Sequence, residues 1–277
     1  MKVREVIERV IEKTGLTPIP HEKTCDHLMI GDGEMEVTKV ASTFMATVDV
    51  IKEAIEAGAN MIITHEPTWF TGKDDTGWVE EDEIYLEKRK LIEENHIAIW
   101  RFHDHMHMCS EDGIYRGFEK ETGWGQYRIP YQGVDDPLCK FGGCYEIPPA
   151  SLRELCEFFK EKMEMDVIQI IGDPEMAVRR IGVLVGGGSL GLGTEEMPMI
   201  LMRQMNLDLV ICGDITEWTL PAYIRDAMQL GFNKGMLVLG HERSEEPGMK
   251  YLGEWLEPAL DGTKVVFIDA KEPFEYL

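Results

Sequence analysis

Five of the eight histidines stand beside carboxylates in three short clusters. These are His65-Glu66, the run His103-Asp104-His105-Met106-His107, and His241 with Glu245. Imidazole nitrogen and carboxylate oxygen together form a ligand set suited to zinc, manganese, iron, nickel or cobalt. Each cluster taken alone also has an ordinary structural explanation. Adjacent strand residues point to opposite faces, and three buried imidazoles would need polar partners. Recurrence at the ends of three apolar runs favours metal. Pro67 removes a ladder donor and ends the first run at His65-Glu66. The 103–107 run reads as a loop contributing one or two ligands. Ser244 reads as an N-cap, with Glu245 in the first helical turn and Pro247 tolerated there. On that reading His241 and Glu245 bracket a strand–helix turn and do not share a helix face.

Other chemistry is less well supported. The run Gly186–Gly193 resembles a phosphate cradle, because backbone N–H groups could meet an anion there. It lacks the Lys-Ser/Thr of a P-loop and does not match GxGxxG, so a tight strand-to-helix connection is the better reading. No GxSxG accompanies Ser189, and no cysteine stands beside a histidine as a nucleophile would.

The elements that must position these residues alternate. Val3, Val6, Ile7, Val10 and Ile11 predict a helix stopped by Gly15. A strand at Lys39–Met45 and a helix at Val48–Ala57 precede a buried strand at Asn60–Thr64, which delivers His65. A helix at Glu80–Asn95 and a strand at His96–Phe102 lead to the histidine run. Strands are predicted further on at Phe141–Glu146, Val167–Gly172, Ile181–Val185, Leu209–Cys212, Met236–Leu239 and Lys264–Asp269. Between them lie helices at Ser151–Lys162 with a capping box to Glu154, Met197–Met205, Pro221–Leu230 and Glu245–Leu256. The alternation argues for an α/β fold with parallel pairing, whose ligands bind beyond the carboxyl ends of the strands.

Composition narrows the classes. The chain has 277 residues, is 44% hydrophobic and carries a formal net charge of −23, with 51 acidic and 28 basic residues. Duplex nucleic acid is a poor partner for such a chain, since affinity there comes from Lys and Arg neutralising phosphates. No stretch approaches the roughly 18 apolar residues of a membrane span. Met1–Gly15 has no apolar h-region, so no signal peptide is expected. The six cysteines form no CxxC pair, which fits reduced thiols and a cytoplasmic location.

Three motifs carry a family resemblance. The segment 61–70 (MIITHEPTWF) resembles the "IITHHP…F" element of the Nif-three-like dinuclear metal proteins, whose bacterial members are often called type-two GTP cyclohydrolase one. The segment 211–217 (ICGDITE) is similar to that family's "TGE" strand end, and 240–248 (GHERSEEPG) to its "GHxxTERPG". Val37–Val40, Ile181–Ser189 and the order of elements also fit. The resemblance implies a dinuclear site with His65, Glu66, His103, His107, His241 and Glu245 as ligands to two divalent transition-metal ions. Glu66 stands where the family has a second histidine, and His107 where it has a metal aspartate. That exchange redistributes nitrogen and oxygen donors between positions without changing their total. His105 and Asp104 are candidates for replacement ligands or supporting partners.

The resemblance further implies a two-lobed α/β subunit with mixed sheets flanked by helices and a metal site between the lobes at strand C-terminal ends. Residues 1–125 and 235–277 would form one lobe and 126–234 the other, and six chains would form a ring. The function expected is metal-dependent hydrolysis of a small substrate, a nucleotide or cyclic amide among the candidates, with Glu217 as an outer acid or base. The alternatives are a non-enzymatic metal-binding regulatory or protein-interaction protein and a nucleotide-binding regulator using Gly186–Gly193. No guanine-specific carboxylate or phosphate-binding arginine cluster is readable, so the cyclohydrolase activity itself is not supported by a visible pocket.

Overall fold

The computed structural model describes residues 1–131 and 137–277. In chain order the strands are β1 (Leu28–Ile30), β2 (Val40–Thr43), β3 (Met61–Thr64), β4 (Ala98–Arg101), β5 (Gly143–Ser151), β6 (Gln169–Ile171), β7 (Ala177–Leu184), β8 (Leu209–Cys212), β9 (Gly235–Val238) and β10 (Val265–Phe267). They form two five-stranded sheets, ordered β1-β4-β3-β2-β10 and β5-β7-β8-β9-β6. The first belongs to a unit made of Met1–Gly117 and Glu246–Lys271, the second to a unit made of Phe118–Glu245 and Glu272–Leu277.

The first unit is built on three parallel strands buried along their whole length, β2, β3 and β4. Strands buried on both faces are what a parallel sheet covered by helices requires, and their polar residues, Ser42, Thr43, Thr64 and Arg101, fall at the carboxyl ends. β10 joins them in parallel, and β1 closes the other edge antiparallel. The helix Val3–Thr14 buries Val3, Val6 and Val10 on one stripe and ends at Gly15 in the left-handed conformation, as its spacing predicts. Registers Thr43↔Thr64 and Thr64↔Arg101 align the strand ends. Residues that follow β3 and β4 therefore emerge side by side.

The second unit repeats the principle with β7, β8 and β9 in parallel, and with β5 and β6 antiparallel at the edges. The fold is thus α/β with mixed sheets, as the family resemblance implies; the alternation of elements by itself suggested only the parallel pairing. Registers Leu184↔Cys212 and Cys212↔Val238 bring Gly186, Gly213-Asp214 and Gly240-His241 to one edge. Ser151 caps the helix Leu152–Lys162 through the expected capping box with Glu154. The unit boundaries fall elsewhere than at 125/126 and 234/235. β9 is hydrogen-bonded to β8, which takes 235–245 into the second unit, and the Phe118 ring packs there against Trp124, Tyr145 and Phe159. Among the described residues no helix is long and apolar enough to cross a membrane, and none of the six cysteines is in a disulfide.

Candidate metal-binding residues

In the first unit the ends of β3 and β4 bring His65, Glu66, His103 and His107 together. His65 and His107 meet through their Nε2 atoms at 3.1 Å. The His65 and His103 rings stack with centroids 4.5 Å apart, and ligand atoms of His65, His103 and His107 fall within one metal-sized group. Glu66 places one oxygen 3.6 Å from His103 Nε2 and accepts from Arg101 at 3.0 Å with the other. Arg101 also donates to the carbonyls of His65 and Gly72. One guanidinium therefore fixes both the backbone and the carboxylate of the His65-Glu66 pair.

Residues 103–107 correct the loop expectation. Asp104–Met108 is a short helix that His103 precedes. Its first N–H groups are satisfied from a distance, because the Asp26 carboxylate accepts from the backbone of His103, Asp104 and His105 at 2.7–2.9 Å. Nothing near residue 103 could have revealed that cap. Four-residue spacing then puts His103 and His107 on one face. His105 is turned away: its Nδ1 meets Asp26 at 2.6 Å and its Nε2 accepts from the Ile19 N–H. It is a structural histidine. Asp104 bonds His103 Nδ1 at 3.0 Å, and that hydrogen bond holds its carboxyl well below the usual carboxylate range. Cys25, His103 and Asp104 make a second group of metal-sized spacing, though burial pushes the Cys25 thiol up to about 12.

In the second unit His241 and Glu245 are neighbours, with Nε2 and carboxylate oxygen 3.1 Å apart. Here too the sequence expectation is overturned. The helix begins at His241 and runs to Lys250, so the two residues are an i,i+4 pair and Pro247 lies inside the helix. Gly240, at φ 82°, turns the chain directly from β9 into the helix. Ser244 does not cap the helix as expected: its hydroxyl donates to the His241 carbonyl and accepts from Gly186 N–H. Asp214 holds His241 Nδ1 at 2.8 Å and lines a cavity of about 470 Å³ with Val238 and segment 272–276.

The glycine run is a short 3₁₀ turn, Gly186–Leu190. The N–H groups of Gly186, Gly188 and Gly191 are already committed within the chain. A Cβ at Gly186, whose φ is 49°, would overlap the Glu245 carboxylate and come within 2.7 Å of His241 Nε2. The glycine is there so that the pair can approach. Glu217 lies in a different cavity, with Arg225. Asp26, Asp112, Asp214 and Arg101 were not singled out from sequence. Only Asp214, directly after β8, carried a positional signal.

A metal fits the first set on one observation. His65 Nδ1 faces the Phe102 carbonyl at 3.3 Å, and His107 Nδ1 faces the Asp112 carboxylate at 2.9 Å. A carbonyl and a carboxylate accept, so both Nδ1 atoms donate. Both Nε2 atoms then turn lone pairs toward each other, an arrangement that a cation between them relieves.

These features define an α/β protein of two mixed sheets, the first presenting three histidines and the second one, each with carboxylates, beyond their parallel strands. The chain belongs to the Duf34/NIF3 (NGG1p interacting factor 3) family, whose profile matches residues 1–273. It is 26% identical to a GTP cyclohydrolase 1 type 2 homolog of Clostridium perfringens, over the whole of both chains. Its fold is similar to that of a Bacillus cereus protein related to NIF3, with a TM-score of 0.75 at 16% identity over 100% of this chain and 99% of that one. Reduced HcgD from Methanocaldococcus jannaschii shares the fold with a TM-score of 0.65 at 18% identity, over 96% and 97% of the two chains.

Proposed function

We propose that this protein is a metal-dependent hydrolase of a small substrate, with His65, Glu66, His103 and His107 as ligands in the first unit and His241 and Glu245 in the second. The observation that carries the reading is the facing pair of His65 and His107 Nε2 atoms, each imidazole oriented by an oxygen acceptor at Nδ1. Two divalent ions bound by these residues would supply Lewis-acid activation of water and of a substrate oxygen. The chain's own groups do the positioning. Asp112 and the Phe102 carbonyl fix the imidazole tautomers, Asp214 does the same for His241, and Arg101 sets the direction of Glu66. Cysteines outside any disulfide support a reducing, cytoplasmic setting, and the resemblance extends the proposal to a homohexamer.

The ion pair between Arg101 and Glu66 favours a second reading. It engages the carboxylate that stands where the family has a second histidine, which weakens that position as a ligand and suits a regulatory or interaction protein with one structural ion. Elemental analysis of purified protein beside Glu245→Ala and His107→Ala separates the two. About two transition-metal ions per chain, depleted in both variants, supports the hydrolase reading and directs a screen of nucleotides, phosphoesters and cyclic amides. One ion or none favours the second reading. Chelation that leaves any hydrolytic activity intact would defeat the first.

A further inference from the structure

Glu217 and Arg225 face one cavity of about 390 Å³ in the second unit, within the size range of small-molecule sites. Its walls are β6, β9 and the helix Leu220–Gln229, and most of its lining is apolar, Ile171 and Met236 included. Neither charged side chain makes an ion pair or a side-chain hydrogen bond with a described residue, and they do not pair with each other. Arg225 shares this with Arg116, Arg180 and Arg203, whereas Arg4, Arg9, Arg89, Arg128, Arg153 and Arg179 each close on a carboxylate. Arg225 and Glu217, both exposed, are the two charged residues in the lining of this largely apolar hollow.

Two opposite charges kept apart around an apolar cavity match a ligand that carries both charges on an apolar body. Arg presents a planar fork that receives a carboxylate through two hydrogen bonds. Glu217 receives an ammonium group, and the Gln169 amide at the cavity wall can donate or accept. A purely anionic ligand would meet Glu217 unfavourably, and a purely cationic one would meet Arg225. We propose that this cavity binds a free α-amino acid with an apolar side chain, its carboxylate on Arg225, its ammonium on Glu217 and its side chain against Ile171 and Met236. Glu217 thereby serves recognition rather than proton transfer. Gln169, Ile215 and Val238 also line the cavity that Asp214 borders, so an amino acid bound here adjoins the residue that orients His241.

The test is isothermal titration of the full chain with L-leucine and L-methionine, beside L-leucinamide, which lacks the carboxylate, and 4-methylpentanoate, which lacks the amine. Saturable binding of either amino acid is expected. Arg225→Ala and Glu217→Gln should each weaken it about tenfold or more, as should removing either charged group from the ligand. Arg225→Gln serves as the second variant should thermal melts show that Arg225→Ala is misfolded. No saturable binding of either amino acid up to about 10 mM would overturn the proposal. So would unchanged affinity in the folded variants, or equal affinity for leucinamide or 4-methylpentanoate.

Discussion

Gly186 shows how one missing side chain can decide what its neighbours do. Its backbone accepts Asp214 N–H through the carbonyl and donates to Ser244, and its Cα leaves the space that Glu245 and His241 fill. Gly186→Ala adds a methyl group where the Glu245 carboxylate lies, at a φ that side chains rarely adopt. Overpacking of this kind costs about 1–3 kcal/mol. The expected outcome is a lower melting temperature together with loss of any metal held by His241 and Glu245, read by thermal melts and elemental analysis. Ala at Gly187, where a Cβ meets nothing within 4 Å, should leave both unchanged. The sequence marked this run as glycine-rich and weighed a phosphate cradle against a tight connection. Close approach was the reason for it, and spacing alone does not reveal which residues approach.

At the scale of elements, two helices depend on groups far from them in sequence. The helix Asp104–Met108 takes its cap from Asp26, whose side chain is almost wholly buried. Asp26→Ala removes an N-cap and a partner of His105 together. A loss of about 2–4 kcal/mol of stability is expected in denaturant titrations, with His103 and His107 released from register. The helix Glu83–Glu94 supplies Lys88, which donates to the Thr68 carbonyl in the segment after His65-Glu66-Pro67 and lies over the Trp69 and Phe70 rings. Burial lowers its pKa to about 8 from 10.5. Between those values the unfolded chain binds a proton that the folded chain has released, so this residue makes stability rise with pH across that window. In Lys88→Met that contribution vanishes. The stability difference, wild type minus variant, should grow from about pH 8 to 10.5 and be flat below, which urea titrations at stepped pH would show. Elements whose signals are local were legible: Leu209–Cys212 as a buried strand, and Ser151 with Glu154 as a capping box. The helices at 104 and 241 were not. Asp26 caps the first of them from 78 residues before Asp104, and Gly240 starts the second four residues before the serine that looked like its cap.

The whole chain carries a net charge of −23, and folding brings those like charges closer. Screening should therefore stabilise it. The melting temperature is expected to rise by about a few degrees between low salt and about 0.2 M sodium chloride, and a fall would show that specific surface ion pairs outweigh general repulsion. Both units present polar groups beyond parallel strands, which is why strand–helix alternation and the residues at strand ends conveyed so much of the fold. Unit boundaries were harder to read, because membership of 235–245 is set by the pairing of β9 with β8. The cysteines extend this to the chain's opening motions. Cys144 and Cys212 lie in β5 and β8, fully buried, with thiols that burial pushes up to about 12. Cys25 and Cys109 of the first unit are partly exposed. A thiol reagent thus meets two populations: Cys25, Cys109 and Cys156, partly exposed, react from the native surface, while Cys139, Cys144 and Cys212, buried, react only when the second unit opens. The slow phase of labelling is a clock for that unit's breathing, built into the chain without an added probe.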